Sequence, residues 1–516
     1  MTQEMKNKIG QLIIAGFPSP FVDDQAKRLV EDFAVGNFAL FGRNIETAEQ
    51  TRQMCSELYQ LAYEKTGFCP FISADQEGGV VTRVNVGASL IPGTMAVNAS
   101  GSDKAYDLAR NNAQVIRALG VNTTFAPVLD VNTEPMNPII GSRSFGDDHE
   151  RVTELGLAET MGFQDGNVLP TVKHYPGHGS VAADSHLTVP FNNSDRETLE
   201  ATEFQPFYKV FAAGADGLMT CHVLYNHVDP QWPGTLSYEI MTTLLRDKMH
   251  FEGLAFTDCM EMDAIRVHYG IGEGAVRALE AGCDVLTFSH TYEAVSQAVE
   301  AIYAAIESGR LTEERINLSY DRVMRIKEKY GLLTPPVLTK EEAQAQAYDP
   351  EKLALNRQVS LDSMTLISGS LDALKNAKKP AFFAPASLAM TGAEDKERRP
   401  NYFSNEAAAK FGGTSFVIPM NELDEATQNA INGDYDVAVL GLYNARFREG
   451  QRAVLHALEA TNRPLIVVLL GAPYDAPEVK RCDGLICAYE YTELAVSTLL
   501  EAMEKNYFPG KLPVKL

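Results

Sequence analysis

The first two thirds of the chain alternates between short apolar runs and longer amphipathic stretches. The runs are Leu12–Phe17, Phe38–Phe41, Phe71–Ala74, Thr124–Val128, Leu169–Val172, Gly217–Thr220, Leu254–Thr257 and Val285–Phe288. Continuous runs of this length, rich in apolar and β-branched residues, suit strands covered on both faces. Between them, segments such as Thr47–Tyr63 and Gly274–Ala281 repeat apolar residues at helical spacing. Repeated strand–helix units predict a parallel sheet. Eight of them favour a closed (β/α)₈ barrel of TIM type over an open sheet.

The pattern changes after Arg315–Leu332. Its apolar positions (Ile316, Leu318, Val323, Ile326), set among many charges, predict a surface helix. Thr334-Pro335-Pro336 follows, and two consecutive prolines cannot continue a helix. A charged, Ala-rich stretch near Lys340 predicts a linker helix. The expected organisation is a barrel over 1–334, a linker over 335–349 and a second domain over 350–516. There, Met364–Ile367, Phe382–Pro385, Phe416–Ile418, Val437–Leu442, Leu465–Leu470 and Leu485–Ala488 predict an α/β domain with a parallel sheet covered by helices. The tail from Phe508 to Val514 carries two prolines and reads as a packed, extended segment.

Composition narrows the function classes. Forty-five basic against 68 acidic residues leave a net charge of −23. Such a surface repels phosphate backbones and anionic lipid, so neither nucleic acid nor a membrane is an expected partner. No apolar run approaches the ~20 residues of a membrane span. The N-terminal apolar run meets Pro18 and Pro20 without a small-residue cleavage site, so no signal peptide is expected. Seven scattered cysteines with no CxxC pair fit a reducing cytoplasm better than a disulfide framework or a zinc–thiolate site.

Candidate chemistry gathers just after the strands: Asp75-Gln76-Glu77, Asp130, Lys173-His174, His222, Asp258 and Ser289-His290. In a barrel these positions share one mouth, where active sites sit. The densest stretch is Lys173-His174-Tyr175-Pro176-Gly177-His178-Gly179-Ser180, followed by Asp184-Ser185-His186. Its glycines and proline preclude one helical face of histidines, so it reads as a strand end entering a long loop. Asp184 and His186, two apart, can lie on one side of an extended backbone. The carboxylate would then fix the imidazole tautomer and favour its protonated form, as a general acid near neutral pH requires. Asp258 ends an apolar strand. Spacing alone leaves open a nucleophile, a metal ligand, or an N-cap for a helix starting near Met260. Asp75, with Gly78-Gly79 and Arg83 behind it, and Arg143, between Gly141 and Gly146, could fix hydroxyl groups of a polar substrate.

These residues carry a resemblance. LFGRNIET (40–47), DQEGG (75–79), FAPVLDVN (125–132), GSRSFGDD (141–148), KHYPGHGSVAADSH (173–186), FTD (256–258) and ALEAGCD (278–284) resemble glycoside hydrolase family 3, in its β-N-acetylglucosaminidase branch. The second domain is similar to the α/β sandwich of two-domain members, including its PGKLPV ending. The resemblance implies a retaining exo-glycosidase acting on terminal β-linked N-acetylglucosamine, on muropeptide or chitin fragments, with neither cofactor nor metal. By motif, Asp258 resembles the nucleophile and His186 the acid/base, with Asp184 as its partner. Asp75, Arg83, Arg143, Lys173 and His174 resemble the sugar contacts. Two positions depart from the family pattern: Val80 stands where arginine is usual, and Cys259 where a second acidic residue is usual.

Other readings stay open at this point. Some relatives with an acid/base histidine pass the sugar to phosphate. A metal-dependent barrel hydrolase could use His174, His178, His186, His222 and Asp258 as ligands. A non-catalytic sugar-binding module would need Arg143, Lys173 and Asp75 but not Asp258 or His186.

Overall fold

The computed structural model describes residues 1–101, 103–182, 189–386 and 402–516. Eight parallel strands form its first sheet: β1 (Ile13–Gly16), β2 (Asn37–Leu40), β3 (Ile72–Ala74), β4 (Thr123–Thr124), β5 in two pieces (Leu169–Pro170 and Val172–Tyr175), β6 (Gly217–Thr220), β7 (Leu254–Cys259) and β8 (Val285–Phe288). Each pairs with the next, and β8 returns to β1. The first piece of β5 pairs with β4 and the second with β6, so the ring closes through Thr171. The strands fall on the expected apolar runs, except that β4 covers only Thr123–Thr124, ahead of most of the run expected at Thr124–Val128. Helices start and stop where the side chains dictate. Thr47 caps Ala48–Thr66 by accepting from Gln50 N, and Gly67 ends it in the left-handed region.

Two strands carry an extra residue. On β5, Val172 and Tyr175 oppose Leu218 and Thr220 of β6. On β7, Phe256 and Cys259 oppose Val285 and Thr287 of β8. Bulges re-aim side chains at barrel rims. These two contain Lys173-His174 and Asp258.

The second sheet orders its strands as β9 (Thr365–Gly369), β14 (Gly484–Cys487), β13 (Leu465–Leu469), β12 (Val437–Leu442), β10 (Pro380–Pro385) and β11 (Thr414–Ile418). It is the expected parallel sheet, with one correction: at one edge β9 runs antiparallel to β14. Alternate residues feed two cores. Phe383, Leu440 and Val467 face one side; Phe382, Val439 and Ile466 face the other. The result is an α/β sandwich. The first of its cores also takes in Met95, Ala96 and Ala99, from a helix (Thr94–Ala99) lying between β3 and β4 of the barrel. The tail packs against the barrel chain: Lys511 N donates to Ala99 O (2.8 Å), and Val514 is buried.

Candidate active site

The mouth is built from the ends of β3, β4, β5, β6 and β7. After Asp75, Gln76–Gly78 turns back to pair with Val81–Thr82, with Gly78 and Gly79 at φ +86° and +56°. Only glycine adopts such angles without strain. The turn brings Arg83 N onto Asp75 O (3.0 Å) and its guanidinium to 3.3 Å from Asp75 Oδ2. Across the mouth, Lys173 Nζ lies 2.7 Å from Asp75 Oδ1 and 2.5 Å from Glu77 Oε1. Arg143 grips Glu77 with two N–H groups, at 2.7 and 2.8 Å. The chain Arg83–Asp75–Lys173–Glu77–Arg143 therefore alternates in sign, and its members other than Asp75 are at least nine-tenths buried.

This pairing holds both carboxylates ionised. Burial opposes ionisation of Glu77, but Arg143 and Lys173 outweigh it and bring the carboxyl down to about 2. Burial likewise opposes ionisation of Asp75, and Lys173 with Arg83 prevails in lowering it. Fixed cations and carboxylates of this kind recognise hydroxyl groups from either side, donating and accepting at set positions.

Next to the chain, buried Asp130 organises the loop after β5. It accepts from His174 N, from His174 Nδ1 (2.6 Å) and from His178 N (2.6 Å). The ring of His174 is thereby oriented with Nε2 3.5 Å from Arg143. Burial drives His178 down to about 4 even though Asp130 and Asp258 pull upward, which keeps it neutral. Asp258 lies in β7 and accepts from Cys259 N (2.7 Å). The next helix is Asp263–Arg266, so Asp258 is not its N-cap. His222 joins the turn Gly234–Leu236 to the end of β7 through Thr235 Oγ1 (2.8 Å) and Cys259 O (3.0 Å).

The sequence-derived candidates Asp75, Arg83, Arg143, Lys173 and His174 thus come together, with Asp258 on the same mouth. Asp184 and His186 lie outside the described residues. Glu77 and Asp130 received no role from sequence. Glu77 lies two positions from Asp75 in one motif, and Asp130 ends the FAPVLD run, but nothing local says which cation or ring each would hold. Of the alternative metal set, His174 turns Nδ1 to Asp130, both ring nitrogens of His222 meet Thr235 Oγ1 and the Cys259 carbonyl, and His186 lies outside the described residues. Among the described residues no three His, Cys, Asp or Glu side chains form a metal-binding group.

A (β/α)₈ barrel with a strand-end carboxylate and a buried chain of fixed charges at one mouth defines the class of barrel enzymes whose site lies at the strand C-termini. Residues 4–326 match the Glycosyl hydrolase family 3 N terminal domain, and the chain belongs to that family. It is 30% identical over 329 residues to beta-hexosaminidase A of Pseudoalteromonas piscicida, covering 59% of this chain and 55% of that one. It is 34% identical to a beta-hexosaminidase of Methylococcus capsulatus, covering 52% and 80%. A solved glycoside hydrolase family 3 beta-N-acetylglucosaminidase from Paenibacillus sp. str. FPU-7 matches with a TM-score of 0.90 and 35% identity, covering 100% of this chain and 99% of that one.

Proposed function

We propose that this protein is a retaining, exo-acting β-N-acetylglucosaminidase. Asp258 attacks the anomeric carbon while His186, oriented by Asp184, protonates the departing oxygen. The C–O bond breaks and a glycosyl-aspartate forms. His186 then takes a proton from water, which attacks the anomeric carbon and releases Asp258. Asp75, Arg83, Arg143, Lys173 and His174 hold the sugar. The observation that carries this reading is Asp258 at the bulged end of β7, on the mouth lined by the Arg83-to-Arg143 charge chain. The beta-N-acetylglucosaminidase and beta-hexosaminidase relatives support the choice of sugar. Muropeptide or chitin fragments carry such ends. Seven free cysteines suit a reducing, cytoplasmic setting, and among the described residues no helix is long and apolar enough to cross a membrane.

A panel of aryl β-glycosides, assayed with and without phosphate, tests the activity. Release from the N-acetylglucosaminide, unchanged by phosphate or by dialysis against a chelator, is expected. Phosphate-dependent release of a sugar 1-phosphate would make the protein a phosphorylase. Loss on chelation, restored by a divalent metal, would make it a metallohydrolase. A 5-fluoro sugar should label Asp258; labelling of another carboxylate moves the nucleophile. His186→Ala should slow poor leaving groups most, by about 10²–10⁴-fold, and azide should then speed turnover because it needs no base. Equal slowing of all substrates, without azide rescue, would assign the acid elsewhere.

A further inference from the structure

The loop that carries Arg143 is held by the second domain. Tyr474 exchanges hydrogen bonds with Asn132, accepting from Nδ2 (2.8 Å) and donating to the main-chain oxygen (3.3 Å). Asn132 Oδ1 in turn accepts from Gly141 N (3.1 Å). Arg446, paired with buried Asp475, donates to Pro135 O (3.1 Å). In the tail, Pro513 O presses on Gly146, where a Cβ would lie 2.4 Å away, and Lys515 N donates to Asp147 (2.9 Å). The contacts bracket residues 132–147 on both sides of Arg143.

A further contact reaches Arg143 through a relay. Glu490, buried just beyond β14, accepts from Gly93 N (2.7 Å). Both Gly79 and Gly93 lie flat against this carboxylate, since a Cβ on either would lie 2.3 or 2.8 Å from Oε2. The next residue, Thr94, donates its hydroxyl to Arg143 O (2.5 Å), and Asn98 one turn on donates to Phe145 O (2.7 Å). The helix bearing both, Thr94–Ala99, places its apolar side in the second domain's core. It is a clamp: one side belongs to the second domain, and the other fixes the Arg143 backbone.

We infer that Glu490, on the second domain, is a positioning residue for the sugar site, acting through Gly93 and Thr94 on Arg143. The inference rests on the reading of Arg143 as a sugar contact. Buried charged hydrogen bonds are worth enough that losing one should change apparent substrate affinity by about 10- to 100-fold. Glu490→Ala should therefore raise KM for an activated aryl N-acetyl-β-glucosaminide by that factor, with kcat changed less. Glu490→Gln keeps an acceptor for Gly93 N–H and should stay within about 3-fold of the parent enzyme. Tyr474→Phe should raise KM more weakly.

The deciding measurement is a double-mutant cycle with Arg143→Lys, because residues that act through one another do not add. In the Arg143→Lys enzyme, Glu490→Ala should cost almost nothing more. Asn356→Ala is the control. Asn356 crosses the same domain seam to Ala88 O and Leu90 O (2.9 and 3.0 Å), away from the Arg143 loop. It should lower the melting temperature and leave KM alone. Full additivity in the cycle, or an equal KM rise in Asn356→Ala, overturns the inference. If Glu490→Ala does not fold, a Gln variant as impaired as Arg143→Lys overturns it equally. A parent enzyme inactive on the glycoside, or indifferent to Arg143→Lys, would instead refute the underlying reading of the site.

Discussion

The barrel buries ionisable groups in two contrasting ways. At the mouth, Arg83, Asp75, Lys173, Glu77 and Arg143 are each within hydrogen-bonding reach of an opposite charge, and the carboxylates stay ionised. At the floor, fully buried Lys327 meets, among the described residues, the neutral partners Gln11 Oε1 (2.6 Å), Gly36 O (3.3 Å) and the face of Phe71. Burial pushes it down to about 7. In the outer helix His149–Asp165, Glu159 is also buried, and among the described residues its Oε1 has no hydrogen-bond partner. Burial, aided by the charge of Glu77, lifts it to about 8. Desolvation is common to all of these groups. What differs is whether a counter-charge replaces the lost water. Mouth charges thus stay ionised, while burial shifts each lone group toward its neutral form. The mouth should govern activity, and the lone groups stability alone.

The largest test of that division is Asp258→Ala. Turnover should fall by several orders of magnitude while the melting temperature barely moves, as followed by steady-state kinetics and calorimetry. A large loss of stability instead would make Asp258 a structural residue.

Glu77→Gln strikes both properties at once. It leaves Arg143 and Lys173 short of a buried counter-charge, and breaking such a pair typically costs about 3–5 kcal/mol. Misplacement of Arg143 and Lys173, the proposed sugar contacts, should cost roughly 10²-fold in kcat/KM. The pH dependence follows from a carboxyl depressed to about 2 in the fold. Its stabilising contribution is complete above the ordinary carboxyl range, and is lost as pH falls toward about 2 because the unfolded chain takes up the proton first. Acid unfolding of the Gln variant should show a shallower limb. An unchanged limb would mean that the ion chain is not what stabilises the mouth.

Lys327→Met should leave kcat/KM unaltered and raise stability at neutral pH by removing the desolvated amine, a gain reduced by about 1–3 kcal/mol because Gln11 Oε1 and Gly36 O lose their donor. Between pH 7 and the ordinary lysine range, the unfolded chain binds a proton that the fold excludes, so the parent gains stability as pH rises. The advantage of Met should accordingly shrink with rising pH in thermal melts. Glu159→Gln should show the smallest effect and the opposite trend. The fold retains the Glu159 proton up to about pH 8 while the unfolded chain releases it near pH 4.5, so the parent loses stability across that window. The Gln variant should gain most above pH 8. Altered activity in either variant would break the division between mouth and lone groups.

The sequence by itself determined the local elements. Apolar runs such as Val285–Phe288 became barrel strands because they are covered on both faces, and Thr47 and Gly67 bound a helix through chemistry a few residues wide. Strand-end positions put Asp75, Lys173, His174 and Asp258 on one mouth, because a closed parallel barrel sends all its strand ends the same way. Only the tertiary structure decided the rest. The antiparallel β9 edge looks like any other apolar run in sequence. The bulges at Lys173-His174 and Asp258 arise from register against β6 and β8, which periodicity does not specify. Glu77 and Asp130 acquire roles from Arg143 and His174, which lie tens of residues away. Glu490 reaches Gly93 across 397 positions of chain. Propensity and pattern act over a few residues, whereas counter-charges, registers and domain seams are set by which distant segments share a buried space.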